Sequence, residues 1–281
     1  MQSKAWKNYE KLLKSNQLTL YTAPRFEKCA DDNDENGLVS TASPIVACGC
    51  KRPRFASKTF EYTNYKEQID TKYFLAIDVT SGTGRLPDRV FSPIIQAEGG
   101  AECVENMWQR SKVYHAEDIS EVEEKEFWTK FVAPPTGKKN PRRSKVVAKF
   151  RAKNGRYPRE VRYSFENFKT TVKREARRHI YAKVYNREII QKVGAARIKQ
   201  IQEMLAKSPG KITCVVLDYD GPKLVDTSTG HQKSSVLKMT RDSFWNASSG
   251  ATSFGHGYIV AASIAGIDSS FDESRVIDLT D

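Results

Sequence analysis

Four residues between positions 105 and 112 are of types that can do chemistry together. In AECVENMWQRSKVYHAED, residues 101–118, helical spacing puts Glu105, Trp108, Gln109 and Lys112 on one face. That face carries a carboxylate, an indole, an amide and an ammonium. Seven residues of helix rise about 10.5 Å. Helical side chains lean toward the N-terminus, so Lys112 leans back toward Glu105. A carboxylate and an amine flanking one small ligand can move a proton, stabilise a developing cation or trap a carbonyl-like carbon. The same residues also suit an ordinary surface helix with Trp108 in the core.

Other positions stand beside this group as candidates. Arg177 and Tyr181 lie four apart, a spacing that lets them bind phosphate and stack a base, or simply pack together. Asp218 and Asp220 frame the turn Tyr219-Asp220-Gly221-Pro222, where they can hold a ribose hydroxyl or serve the turn itself. His256, in Phe254-Gly255-His256-Gly257, opens an expected helix whose N-terminus suits an anion.

The charge points to phosphate. The chain has a net charge of +12, yet residues 137–183 hold 17 Lys or Arg against three Glu. That local excess of +14 leaves the remainder at −2. Lys138, Lys139, Arg142, Arg143 and Lys145 open the segment, and Phe150, Tyr157, Tyr163, Phe165 and Phe168 are interleaved with its charges. Such a segment attracts polyanions and offers rings for bases, so the expected partner is nucleotide or nucleic acid. A solvated basic face is the plainer alternative.

Positioning these residues requires a folded core. The chain has 281 residues, 39% hydrophobic and 10% aromatic, a globular composition. No apolar run reaches the ~18 residues that span a membrane, and MQSKAWKNYEKLLKS lacks the apolar region of a signal peptide. The five cysteines at irregular spacing read as free thiols in a reducing compartment. The expected location is therefore cytoplasmic, or intracellular in a host cell if the chain is viral, with no membrane partner. Cys48-Gly-Cys50 is the one hint of a metal site, but no second close pair of ligands accompanies it. Neither metal nor cofactor is expected, and the sequence leaves the oligomeric state open.

Periodicity predicts strands at 73–80 and 211–218 and helices at 3–14, 102–116, 121–131, 164–191, 195–207 and 255–265. Residues 28–58 read as loop. The expected fold class is α+β: a predominantly helical single core with a few short strands. Residues 1–72 would be an N-terminal extension, and 73–281 the core, with a basic insertion at about 137–163.

Taken in order, several motifs resemble the NADAR superfamily. Phe91-Ser92-Pro93 precedes Val104-Glu105-Asn106-Met107-Trp108-Gln109-Arg110-Ser111-Lys112, in register with that family's aromatic-Ser-Pro segment and its V-E-H-aromatic-aromatic-Q-x-x-K helix. An uncharacterised, often phage-borne relative of the group is closer still. It shares Ile77-Asp78-Val79-Thr80-Ser81, the Ala176-Arg177…Ile180-Tyr181…Tyr185 pattern and Val216-Leu217-Asp218-Tyr219-Asp220. The resemblance covers roughly residues 73–265. Asn106 departs from it, since the family has His there, and residues 137–163 and the first 70 have no counterpart.

The resemblance implies a NADAR-like fold and an N-glycosidase, a hydrolase that cleaves an N-linked ribose in a nucleotide or in modified or ADP-ribosylated nucleic acid. It makes Glu105 the acid or base and Lys112 a nucleophile or electrostatic partner, with Ser92, Trp108 and Gln109 around the substrate. The alternatives are a non-catalytic nucleic-acid-binding protein reusing the fold, viral for example, and a sensor of ADP-ribose-like nucleotides.

Overall fold

Two short apolar runs meet side by side in one sheet. They are β2 (Tyr73–Asp78) and β6 (Ile212–Asp218), which pair in parallel. In this computed structural model the described residues are 45–49, 73–79, 88–94, 103–130, 144–207, 212–218, 220–225, 232–234, 236–249 and 254–271. They form a mixed α+β structure in two compact units. The expected helix at 3–14 and most of the expected loop at 28–58 lie outside the described residues, as do Lys138, Lys139, Arg142 and Arg143.

The first unit comprises Met1–Arg89, Ala196–Ala247 and Ala251–Ile267. Its sheet has the order β2-β6-β1-β9, with β1 (Ile45–Gly49) parallel to β6 and β9 (Val236–Lys238) antiparallel to β1. The stretch expected as loop and extension thus supplies an inner strand. Its short apolar core, IVACG, sits between polar segments and gains its strand partners only from β6 and β9, far along the chain. Cys214, Val215, Val216 and Leu217 of β6 are buried, as a strand covered on both faces demands. Helix α8 (His256–Ile264) packs on β6 and β1 and is buried along almost its whole length. The expected strands and the expected helix at 255–265 are present within a residue or two.

The second unit comprises Val90–Ala195, Ser248–Gly250 and Asp268–Asp281. Its three-stranded antiparallel sheet has the order β3-β4-β5: Lys112–Tyr114, Glu160–Phe165 and Phe168–Thr170. Two expectations are corrected here. The helix expected at 102–116 is only α1 (Val104–Arg110), and Lys112 begins β3. Ser111 ends it: its hydroxyl donates to the Trp108 carbonyl, and Ser164 donates its backbone N–H to the Ser111 carbonyl. The helix expected to begin at 164 starts instead as the β4-β5 hairpin, because Tyr163 is buried on the strand's inner side and pairs with Thr170.

The basic segment expected as an insertion contributes to this unit's framework. Its helix α3 (Lys145–Asn154) is capped by the Ser144 hydroxyl, which accepts from the Val147 N–H at 3.1 Å, and β4 is the central strand. Gly155, with φ 67°, ends α3 in the left-handed conformation that glycine adopts without strain. Helical structure then runs from 173 to the end of this stretch of the unit at Ala195, with π-helical turns at Arg177–Ala182 and Asn186–Gly194. Gly194, expected to separate two helices, does not break them. A Cβ there would stand 2.9 Å from the Phe91 ring, so glycine serves close packing.

Candidate functional site

The candidate site grows from β4. Glu160, at its start, is drawn into the second unit beside Lys112 of the neighbouring β3, and Lys112 Nζ lies 2.9 Å from Glu160 Oε1. The Tyr163 hydroxyl donates to Glu160 Oε2 at 2.5 Å, and Lys173 Nζ stands 3.7 Å from the same oxygen. One carboxylate is thus held by two ammonium groups and a phenol. Burial pushes the Glu160 carboxyl up, but Lys112, the Tyr163 hydroxyl and Lys173 together outweigh it and hold it below the usual carboxylate range. Burial, then the bond to Glu160, pushes the Tyr163 phenol well above its ordinary value. Arg177, itself buried, is close enough to act on that phenol through its charge.

These groups open on a cavity of about 530 Å3. Gln109, Lys112, Tyr157, Glu160, Tyr163 and Lys173 all contribute to its walls. Two lysines against one carboxylate leave it electropositive, and its tyrosines offer rings. This composition suits a ligand with a phosphate and a flat base or a sugar.

The structure brings some expected site residues together here and sends others elsewhere. Gln109 and Lys112 line the cavity. Glu105 stands behind Gln109, whose Nε2 donates to Glu105 Oε1 at 2.9 Å, and it is not part of the wall. Trp108 stacks on Tyr163 with ring centroids 5.6 Å apart, tilts against Tyr181 at 5.4 Å, and carries Lys112 Nζ 5.3 Å from its centroid. Trp108 therefore sits beside Lys112 with Tyr181 against it, neither in the cavity wall, and four-residue helical spacing is not what joins Lys112 to Trp108. Ser92 is buried, and its hydroxyl accepts from the Ile94 N–H at 3.4 Å. Asn106, at the family's histidine position, is fully buried, and its amide has no hydrogen-bond partner among the described residues. Lys145 lies exposed at the start of α3.

Asp218, Asp220 and His256 belong to the first unit. Asp218 is buried; its Oδ2 accepts from the Gly257 N–H at 2.7 Å and its Oδ1 from the Asp220 N–H at 3.3 Å. The anion that the N-terminus of α8 attracts is thus the chain's own carboxylate. His256 donates from Nε2 to the Val79 carbonyl, and its Nδ1 faces Asp218 Oδ2 at 3.7 Å. Asp220 is exposed. Gly255 and Gly257 are required by this grip, since a Cβ on either would come within 2.2 or 2.5 Å of the Asp218 side chain.

The basic segment is partly neutralised by its own unit. Arg156 and Arg159 both clasp Asp118, with Arg156 Nη2 2.8 Å from Oδ1 and Arg159 Nε 3.0 Å from Oδ2. Those bonds hold the Asp118 carboxyl far below the usual range. Arg162 pairs with Glu121 at 3.2 Å. Among the described residues, Lys145, Lys149, Arg151 and Lys153 of α3 pair with no carboxylate.

Glu160, Tyr163, Tyr157 and Lys173 were missed as site residues by sequence reasoning. A signal was present: Gly155 and Pro158 break the chain, and Tyr163 and Phe165 then alternate with polar residues, as a strand requires. No group of three or more His, Cys, Asp or Glu is placed to hold a metal among the described residues, and none of their helices is long and apolar enough to cross a membrane. No family model, curated protein or solved structure matches this chain.

Proposed function

We propose that this chain is an N-glycosidase-type hydrolase that cleaves the N-linked ribose of a nucleotide, free or in modified nucleic acid, in the Lys112–Glu160 cavity. The observation that carries this reading is an ionised, half-buried carboxylate held between two lysines in the wall of that cavity. The resemblance to the NADAR motifs, which covers Gln109 and Lys112 of that wall, supports the same chemistry.

Departure of an N-linked base leaves positive charge on the anomeric carbon, which a fixed carboxylate stabilises. Glu160 has that part. Lys112 and Lys173 hold the phosphate. The attacking water gives its oxygen to the sugar and a proton to the departing nitrogen, so the atoms balance without a cofactor. Because Lys112 is half of an ion pair, we assign it charge stabilisation rather than imine formation. Glu105 positions Gln109 and does not touch substrate.

A panel of ADP-ribosylated guanine, modified nucleosides and phosphoribosylamines tests this. At least one member is expected to release its base. Glu160→Gln should slow that reaction by roughly 10²-fold or more while retaining binding. Glu105→Gln should act more weakly, mainly through KM. Borohydride should trap no adduct on Lys112. The ion pairing of the wall's carboxylate favours a second reading, a nucleotide sensor without turnover. It is the right one if nucleotides bind, every panel member is inert and Glu160→Gln leaves binding unchanged.

A further inference from the structure

A second groove adjoins the first. About 350 Å3 in volume, it is lined by Val147, Ala148, Arg151, Ala152 and Tyr157. Val147 and Tyr157 line the larger cavity as well, so the two hollows share a wall along α3. Tyr157 is 45% exposed, an unusual position for a large ring, and the Arg151 guanidinium rests over it 4.5 Å from the centroid. A ring carrying an arginine is a platform on which any base can stack. Along the same helix Lys145, Lys149, Arg151 and Lys153 are exposed, and α3 contains no acidic residue. The neighbouring arginines 156 and 159 differ, being tied to Asp118.

We infer that this groove is the subsite for the adjacent nucleotide of a single-stranded nucleic acid, with Tyr157 and Arg151 stacking its base and the cations of α3 following its backbone. The inference rests on the proposed function and deepens it: the substrate is a nucleotide within a strand rather than a free one. The charge and the exposed ring both point to this occupant. An acidic peptide would answer to the charge but would leave Tyr157 without a stacking partner.

The test compares adenosine monophosphate with a fluorescein-labelled single-stranded DNA of about twelve nucleotides, long enough to cover both hollows. The oligonucleotide should bind more tightly than the mononucleotide, with an affinity that falls as salt rises. Arg151→Ala should weaken oligonucleotide binding about tenfold, the worth of one stacked base, and leave the mononucleotide unchanged. Ala152→Trp, which fills the groove from an exposed position, should do the same. Tyr157→Phe should keep oligonucleotide affinity where Tyr157→Ala loses it. Equal binding of the two ligands, indifference of the oligonucleotide to Arg151→Ala and Ala152→Trp, or preference for a polyglutamate peptide overturns the inference and leaves the proposed function standing. Failure of wild type to bind either nucleotide ligand overturns both.

Discussion

Each unit holds a cluster of linked polar groups, but the two use them differently. In the first, Asp218 holds the N-terminus of α8, His256 holds the Val79 carbonyl, and Asp88 and Arg197 form a buried pair at 2.7 Å. In the second, Glu160, Lys112, Tyr163 and Lys173 also bind one another, but they do so in the wall of a cavity. Polar residues in a core are therefore a poor guide to a site on their own. Whether the cluster faces room for a ligand separates fastening from chemistry. Cys214 belongs to the fastening side: burial, and then the charge of Asp88, push its thiol up to about 12, so it is not a nucleophile at neutral pH.

The comparison predicts that breaking polar contacts in the first unit costs stability. Asp88→Ala removes the carboxylate that both Nε and Nη2 of the Arg197 guanidinium bond, at a site only 6% exposed, and should destabilise the protein by about 3–5 kcal/mol in chemical denaturation. A loss below about 1 kcal/mol would mean that the pair is not structural. Gly257→Ala drives a Cβ to 2.5 Å from the Asp218 side chain and should cost about 1–3 kcal/mol. In the second unit Glu160→Gln keeps its bond to Tyr163 and should change the melting temperature far less than either.

How much of this was legible in the sequence depends on how local each feature is. β2, β6 and α8 announce themselves, because a buried strand or helix is apolar along its own length. The Glu105-to-Lys112 face reads as one helix because the spacing fits one. Nothing within those residues reveals that Ser111 ends the helix, or that Tyr163 and Ser164, some fifty positions on, pair with Lys112 and Ser111. The same blindness hid β1, whose partners are β6 and β9. Gln109 and Lys112 stood out by residue type; Glu160 did not, because it sat in a run of cations that masked its one carboxylate.

A smaller effect sharpens the contrast within the second unit itself. Glu124 is buried, accepts from Trp128 Nε1 at 2.9 Å and from the Ser144 hydroxyl, and ties α2 (Glu121–Lys130) to the cap of α3. Burial raises its carboxyl above 4.5 despite those two bonds. A group raised in the folded state contributes stability below its unfolded value and loses it as pH rises through the folded one. Glu124→Gln should therefore be at least as stable as wild type at neutral pH, and the gap in melting temperature should close or reverse toward pH 4.5. Glu160, held below 4.5, has the opposite sign: its contribution is complete above that value and is lost as pH falls.

The central claim is that the ligand sits in the second unit, at Lys112, and not at the aspartates of the first. Calorimetric titration of adenosine monophosphate into wild type, Lys112→Ala and Asp220→Ala tests it most directly, since Lys112 lines the cavity and Asp220 is exposed in the other unit. Binding should fall at least tenfold in Lys112→Ala, as when a charge-assisted contact is lost, and remain at the wild-type level in Asp220→Ala. Full binding by Lys112→Ala together with its loss in Asp220→Ala would contradict the claim and move the site to the carboxyl end of β6.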